Sequence, residues 1–392
     1  IKYNPVFLSY MIIYENKSYL YANKNIFSDK IVIKLADAGV EIRPYNDIYD
    51  SLAKIEENKI VLDKSKVNYA ILKGIDSSKT IISRINPTTE LKAVKTETEA
   101  DNMARAHIKD GVAVTRFMYW LKSNVGKETI TEISGAEKLE SLRAEQDGYI
   151  GPSFEPIMAY GEHGAIVHYA PSQATNTELK AESFLLCDTG GHYYEGTTDI
   201  TRTFALGELT EEQKMMYTLV LAGNLKLAAA KFPYGIRGIN LDVLAREPLW
   251  KKGFDFKHGT GHGVGYLLNV HEGPNNISPY IMADKIKEGV LEAGMITSDE
   301  PGIYIKGKYG IRLENLLLCK EEKITEYGRF MGFETITVVP FDLDAVDISF
   351  MTDEEIFLLN SYHRKVYKKI SPYLSGEELL WLQKATREVK RY

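Results

Sequence analysis

Over the first 85 positions, short apolar runs alternate with turn residues. Residues 6–14 read as a strand that turns at Glu15-Asn16-Lys17 into Ser18-Tyr19-Leu20-Tyr21. Further β-like runs follow at Ile31-Val32-Ile33, Lys59-Ile60-Val61-Leu62 and Tyr69-Ala70-Ile71-Leu72, with a helical stretch from Asp47 to Glu57. This alternation predicts a small α/β unit. Asn86-Pro87-Thr88-Thr89 ends it, because the residue before a proline is pushed out of the α region. The pattern therefore divides the chain into 1–87 and 88–392.

Helical spacing takes over after the boundary. Thr96 and Glu99 form a capping box ahead of Met103, Ala106, Ala113, Phe117 and Leu121, which predicts a long helix. Asp110 interrupts that stripe, and the pattern leaves open whether it is buried or faces solvent. Thr210 and Gln213 make a second box before Met216, Leu219, Val220 and Leu227. Residues 238–253 read as a helix that Pro248 must kink or end, and Ser375 with Glu378 opens a closing helix. From Glu182 onward, strand-like runs alternate with Gly-rich turns.

Composition narrows the class. A chain of 392 residues, 44% hydrophobic and 26% charged, has material for two or three cores and no surplus suggesting disorder. The net charge of −6 disfavours a nucleic-acid or anionic-membrane binder. The apolar stretch near the start, broken by Ser9, falls well short of the roughly 20 residues of a membrane helix, and it lacks the basic flank and cleavage site of a signal peptide. Cys187 and Cys319 form neither a CxxC pair nor a disulfide framework, so the expected compartment is the cytoplasm. The first residue is Ile1, which predicts a natural protein longer at its N-terminus.

Polar residues collect where β-like runs end. Phe184-Leu185-Leu186-Cys187 runs into Asp188; Gly190-Gly191 and Gly196 then turn the chain, and Asp199 opens Ile200-Thr201-Arg202-Thr203-Phe204. That is a hairpin with an aspartate on each arm. Met295-Ile296-Thr297 leads to Glu300 before Pro301-Gly302, and residues 311–318 read as a strand containing Glu314, with Arg312 on the same face. Between them lies His258-Gly-Thr-Gly-His262-Gly-Val-Gly265, then His271-Glu-Gly-Pro274.

Any one of these residues alone reads as a solvated carboxylate or a satisfied histidine. Four carboxylates and a histidine beside tight turns carry more weight, because convergence without counter-charge would force protonation or unfold the site. Two divalent cations would neutralise it and hold a bridging water. His258 and His262 are four apart, but Gly-Thr-Gly supports no zincin helix and supplies no Glu. The glycine offsets do not fit a dinucleotide fingerprint, and no P-loop or nucleophile elbow is present in the sequence.

At these residues the sequence resembles the pita-bread metallopeptidases, most closely the Xaa-Pro aminopeptidases in their three-domain form. The resemblance rests on Asp188-Thr-Gly-Gly-His-Tyr-Tyr-Glu-Gly-Thr-Thr-Asp199-Ile-Thr-Arg-Thr203, the 258–265 string, Leu268-Asn-Val-His271-Glu-Gly-Pro274, Ser298-Asp-Glu300-Pro-Gly302 and Gly310-Ile-Arg-Leu-Glu314-Asn315. It runs from about residue 90 to the end, and residues 1–85 look like the middle domain of such proteins. It implies an α/β (α+β) catalytic domain, a curved and mostly antiparallel sheet with helices on its outer face, preceded by a smaller α/β domain. It also implies ligand duty for Asp188, Asp199, His262, Glu300 and Glu314 around two divalent metal ions, manganese being the family expectation. His168 and His271 match substrate-side histidines, His258 a further active-site histidine, and Arg312 a partner of a ligating carboxylate.

The implied activity is removal of the first residue from peptides with proline second, with Glu300 as proton acceptor and His271 stabilising the oxyanion. The implied assembly is a homodimer. An Xaa-Pro dipeptidase is the alternative; methionine aminopeptidases share the five ligands but not the Thr-Thr-Asp199-Ile-Thr-Arg-Thr203 or Leu268–Pro274 strings. Non-catalytic pita-bread interaction modules lose metal ligands that this chain keeps.

Overall fold

The caps and turns in the sequence fix where the chain reverses, and the computed structural model, which describes residues 1–280 and 289–391, shows what each segment becomes. β1 (Tyr10–Ile13) and β2 (Ser18–Tyr21) form an antiparallel hairpin; after α1 (Asp29–Asp37) the chain returns as β3 (Val40–Arg43), parallel to β2. α2 (Asp47–Leu52), β4 (Lys59–Leu62), α3 (Tyr69–Gly74) and β5 (Thr80–Ser83) follow, with β4 and β5 parallel. Residues 5–91, with residue 1, form one unit around Tyr21, Ile48, Leu52, Ile55, Ile71 and Ile75.

Two runs expected to be β-like are helical. Ile31-Val32-Ile33 lies inside α1, which starts after Ser28 with Asp29 in its first turn, and Tyr69-Ala70-Ile71-Leu72 opens α3, where the Asn68 side chain accepts from the Ile71 N–H (3.0 Å). The β preference of such residues is weak and depends on context; the Asn68 cap outweighs it at α3, while at α1 Ser28 makes no side-chain cap bond. The helix expected over 47–57 ends at Leu52.

The second unit runs from Lys92 onward and takes in residues 2–4. After α4 (Pro87–Ala93) comes α5 (Glu97–Asn124), closed at its start by the expected box: Thr96 N–H donates to Glu99 (2.9 Å) and Glu99 N–H to Thr96 (3.3 Å). α6 (Glu132–Ala144) packs on α5. Then β6 (Tyr149–Pro152), β7 (Ile157–Tyr160), β8 (Phe184–Thr189), β9 (Gly191–Tyr193), β10 (Gly196–Thr197) and β11 (Ile200–Ala205) build two antiparallel sheets, ordered β11-β8-β7 and β10-β9-β6.

α7 (Glu211–Ala228), opened by the Thr210–Gln213 box, β12 (Lys231–Pro233) and α8 (Gly238–Trp250) follow. α8 runs only two residues past Pro248. Next come β13 (Gly261–His262), paired with β14 (Asn276–Ile277), and β15 (Ile296–Asp299). β16 (Gly302–Ile305) pairs with β17 (Tyr309–Arg312), and β18 (Asn315–Thr325) and β19 (Gly328–Thr335) complete a sheet ordered β12-β19-β18-β15, also antiparallel. α9 (Asp353–Ile370) and α10 (Gly376–Ala385) close the chain. The expected Ser375–Glu378 cap does not form: Ser375 makes no side-chain cap bond, and Glu378 accepts instead from Arg116 (3.0 Å).

Strand alternation places the layers. On β8, Leu185 and Cys187 point into a core shared with Phe117 and Leu121 of α5 and Leu139 of α6, while Leu186 points the other way, against Ile157 and Tyr169. Asp188 shares the Leu186 side. Helices thus cover one face and the opposite face is free to carry the site. The strand expected over 311–318 is broken at Leu313 and Glu314. Their N–H groups leave the ladder to donate to Pro301 O (3.3 Å) and Thr201 O (3.0 Å), so Glu314 stands at a corner between β17 and β18.

Candidate metal centre

Register brings the first two carboxylates together. On β8 Asp188 lies opposite Thr201 of β11, and Asp199 stands one residue before β11, so the two arms of one hairpin aim both aspartates at the same space. The corner puts Glu314 beside them, its Oε2 accepting from the Thr201 hydroxyl (2.8 Å). β13 needs its glycine here: a Cβ on Gly261 would lie 1.8 Å from Ser298 O, so only glycine lets this segment reach the β15 backbone. Ser298 then accepts from the His262 N–H (2.9 Å) and donates to Glu300 Oε1 (3.1 Å), tying a ligand-type residue of β13 and one just past β15 to one hydroxyl.

His262 Nδ1 faces Gly263 O (3.0 Å), and a carbonyl can only accept, so the proton of the neutral ring belongs on Nδ1. Nε2 is left facing Asp199 Oδ2 and Glu300 Oε1, each at 3.4 Å. Ligand atoms of Asp199, His262 and Glu314 lie within 4.8 Å of one another. Asp188 Oδ1 and Glu314 Oε1 are buried with no hydrogen-bond partner. A bare buried carboxylate oxygen is unfavourable unless a proton or a cation meets it.

The electrostatics point the same way. Burial raises Asp188, against the pull of Arg312, and the Asp199 charge adds to the rise. Burial pushes Glu300 up to about 7, and lifts Glu314 well above the carboxylate range with Asp199 and Glu300 adding to it. Desolvation lowers the proton affinity of His262, yet Asp199 and Glu300 more than offset it and hold the ring up to about 9. These groups collect protons when no other positive charge is supplied, which is the behaviour of a donor set built for cations. Four carboxylates and one imidazole match a hard or borderline divalent ion.

The remaining expected residues surround the cluster. Arg312 donates through Nη2 to Asp188 Oδ2 (2.5 Å) and through Nη1 to the Tyr304 hydroxyl (2.8 Å). His258 Nδ1 donates to Gly259 O (2.7 Å), so its Nε2 accepts from Tyr304 (2.8 Å), and burial lowers this ring to about 4 and keeps it neutral. The His271 ring stands edge-on to His262, centroids 4.3 Å apart. His168 and His271 both line a cavity of about 270 Å³ that is also lined by the five ligand-type residues and by the apolar Phe154, Ile157 and Val167. All nine residues singled out in the sequence therefore face one cavity.

Sequence reading missed Tyr304, Thr201, Ser298 and the apolar lining. Thr201 carried a signal, since it lies directly across the hairpin from Asp188, and Ser298 sits one strand period before Glu300.

Residues 101–321 match metallopeptidase family M24, residues 329–389 the C-terminal region of that family, and residues 1–99 the creatinase/prolidase N-terminal domain. The chain belongs to metallopeptidase family M24. Among its relatives, a probable Xaa-Pro aminopeptidase P of Leptosphaeria maculans is 38% identical over 98% of this chain and 66% of its own, and that of Arthroderma gypseum is 38% identical over 99% and 63%. The chain thus spans just under two thirds of the length of these curated relatives.

Among solved structures, an X-prolyl aminopeptidase from Caenorhabditis elegans, described as a cytosolic enzyme with a di-nuclear active site, superposes with a TM-score of 0.91 at 35% identity, over 99% of this chain and 64% of that one. An Xaa-Pro dipeptidase from Bacillus anthracis gives 0.67 at 26%, over 86% and 89%. Among the described residues, no helix is long and apolar enough to cross a membrane.

Proposed function

We propose that this chain is a metal-dependent aminopeptidase that removes the first residue of peptides carrying proline in the second position, with Asp188, Asp199, His262, Glu300 and Glu314 holding two divalent cations. The observation that carries this reading is the convergence of four carboxylates and one imidazole on a single cavity, two carboxylate oxygens being buried without a partner. The likeness to proteins named Xaa-Pro aminopeptidase supports the proline-specific branch. Bound cations supply the positive charge that lowers the pKa of water and polarises a carbonyl. We take manganese as the metal on the family expectation; oxygen donors with one imidazole suit such a hard or borderline ion, although intrinsic affinity favours zinc over manganese.

The chain's own groups divide the remaining work. Glu300, whose Oε1 accepts from the Ser298 hydroxyl, takes and returns the proton that moves during hydrolysis. His168 and His271 line the substrate side of the cavity, His271 stabilising the oxyanion, and His258 is held by Tyr304, which Arg312 holds in turn. Phe154, Ile157 and Val167 give an apolar lining. A proline ring lies against such a lining without leaving a donor unpaired, because its nitrogen carries no hydrogen. We assign residues 1–87 to a creatinase-like domain and 88–392 to the catalytic one, in a cytoplasmic homodimer; light scattering that finds a monomer would remove the last point.

A peptide panel tests the reading. Xaa-Pro-Xaa tripeptides should lose their first residue, and replacing the proline by alanine should sharply lower kcat/KM. Cleavage of Xaa-Pro dipeptides alone would make the chain a dipeptidase, and preference for Met-Ala-Xaa would remove it from the proline branch.

A further inference from the structure

Asp110 breaks the apolar stripe of α5, and it is completely buried. Its carboxylate accepts from Arg143 Nε (2.6 Å) and Nη2 (3.2 Å) on α6, from the Tyr193 hydroxyl (3.3 Å) on β9, and from the Thr198 hydroxyl. Arg143, 1% exposed, also donates through Nη2 to the Thr189 hydroxyl (3.0 Å). Thr189 directly follows Asp188, and Thr198 directly precedes Asp199. One buried ion pair therefore grips both arms of the hairpin, a single peptide unit from each aspartate, from the helix-covered side.

Fold stability does not account for this arrangement. Taking two charges out of water is unfavourable, and apolar residues of the same volume often do as well in such a place. What a fully hydrogen-bonded buried network adds is a fixed geometry. Each hydroxyl it holds is the neighbour of a residue whose carboxylate must meet a cation at a set distance.

We propose that the Asp110–Arg143 pair is a positioning device for the metal centre. Through Thr189 and Thr198 it fixes the spacing and orientation of the Asp188 and Asp199 carboxylates so that two cations are held together, while Asp110 and Arg143 touch neither. The proposal rests on the assignment of Asp188 and Asp199 as metal ligands.

The test is titration of the metal-free full chain with Co²⁺, whose absorption reports its coordination geometry, alongside thermal melting. Thr189→Val and Thr198→Val each remove one gripped hydroxyl at nearly constant shape; Thr198→Ser keeps it. The Val variants lose buried hydrogen bonds, Thr198 also accepting from the Gly191 N–H (2.8 Å), and should melt somewhat below the metal-free parent; while still folded they should bind the second Co²⁺ about 10- to 100-fold more weakly with an altered spectrum, and Thr198→Ser should restore the parent's values. Wild-type affinity and spectrum in both Val variants overturns the proposal, as does a loss of affinity that only follows a loss of folded protein. Should a Val variant not fold, Arg143→Lys, which keeps the charge but not the two-pronged donor, must show the same weakening, and wild-type binding there is equally fatal. Asp199→Asn separates the two levels. If it still binds two ions, the ligand assignment fails; if it loses one while the Val variants bind normally, only the positioning role fails.

Discussion

The Tyr304 hydroxyl receives a hydrogen bond from Arg312 and gives its own to His258, so a guanidinium that holds Asp188 also sets the orientation of a cavity imidazole through one phenol. Tyr304→Phe deletes both bonds and keeps the ring. We expect kcat/KM on an Xaa-Pro-Xaa peptide to fall about tenfold with the melting temperature little changed, since partners that orient site residues typically matter at this level; steady-state kinetics with wild-type values would show that His258 needs no such support. Tyr304 was not legible in the sequence, because nothing local distinguishes it from the other tyrosines. Its role depends on a hydrogen bond to His258, 46 residues away. The ligand-type residues were legible for the opposite reason: Asp188, Asp199, His262 and Glu300 each sit beside glycine or proline turns that leave a local mark. Asp110 falls between, visible as an interruption but unreadable until Arg143, Thr189 and Thr198 are found around it.

The two helices opened by a threonine capping box start where the sequence places them, whereas residue preference alone is right for Lys59–Leu62 and wrong for two other short apolar runs. The Thr96–Glu99 and Thr210–Gln213 boxes open α5 and α7 as expected. Ile31-Val32-Ile33 and Tyr69-Ala70-Ile71-Leu72 are helical where strands were expected because a short apolar run fits a helix turn as well as a strand, and α1 leaves Ile31 and Ile33 exposed. The corner at Glu314 was hidden too, since the donors that break the strand find acceptors at Pro301 and Thr201 rather than in a neighbouring ladder. A measurable consequence attaches to the first box. Thr96→Ala removes the acceptor for the Glu99 N–H and should lower the unfolding free energy of the chain by about 1 kcal/mol in urea titrations. No change in the midpoint would mean that packing along α5 carries its start without the cap.

Across the whole molecule, acid stability depends on histidines far from the cavity as well as on the site. His363 of α9 is 1% exposed, its Nε2 accepts from the Phe341 N–H (3.1 Å), and burial lowers its pKa to about 3. The ring is neutral in the fold but takes a proton in the unfolded chain below about pH 6.5. Its contribution is therefore complete above pH 6.5 and is lost as pH falls from there towards 3. His363→Gln keeps an acceptor without a proton to bind, so by pH 5 the metal-free parent should have lost about 2 kcal/mol more stability than the variant, both referred to pH 7. Parallel curves for the two proteins would show that the ring is protonated in the fold. The central claim, that five side chains from separate strands and corners make one two-cation site, is tested most directly by metal content. Equilibrated with Mn²⁺ and freed of excess, the full chain should retain two ions per chain by elemental analysis and cleave Xaa-Pro-Xaa, and Asp199→Asn should retain fewer and cleave none. Two ions retained by Asp199→Asn with full activity, or full activity in a parent stripped of metal, would contradict it.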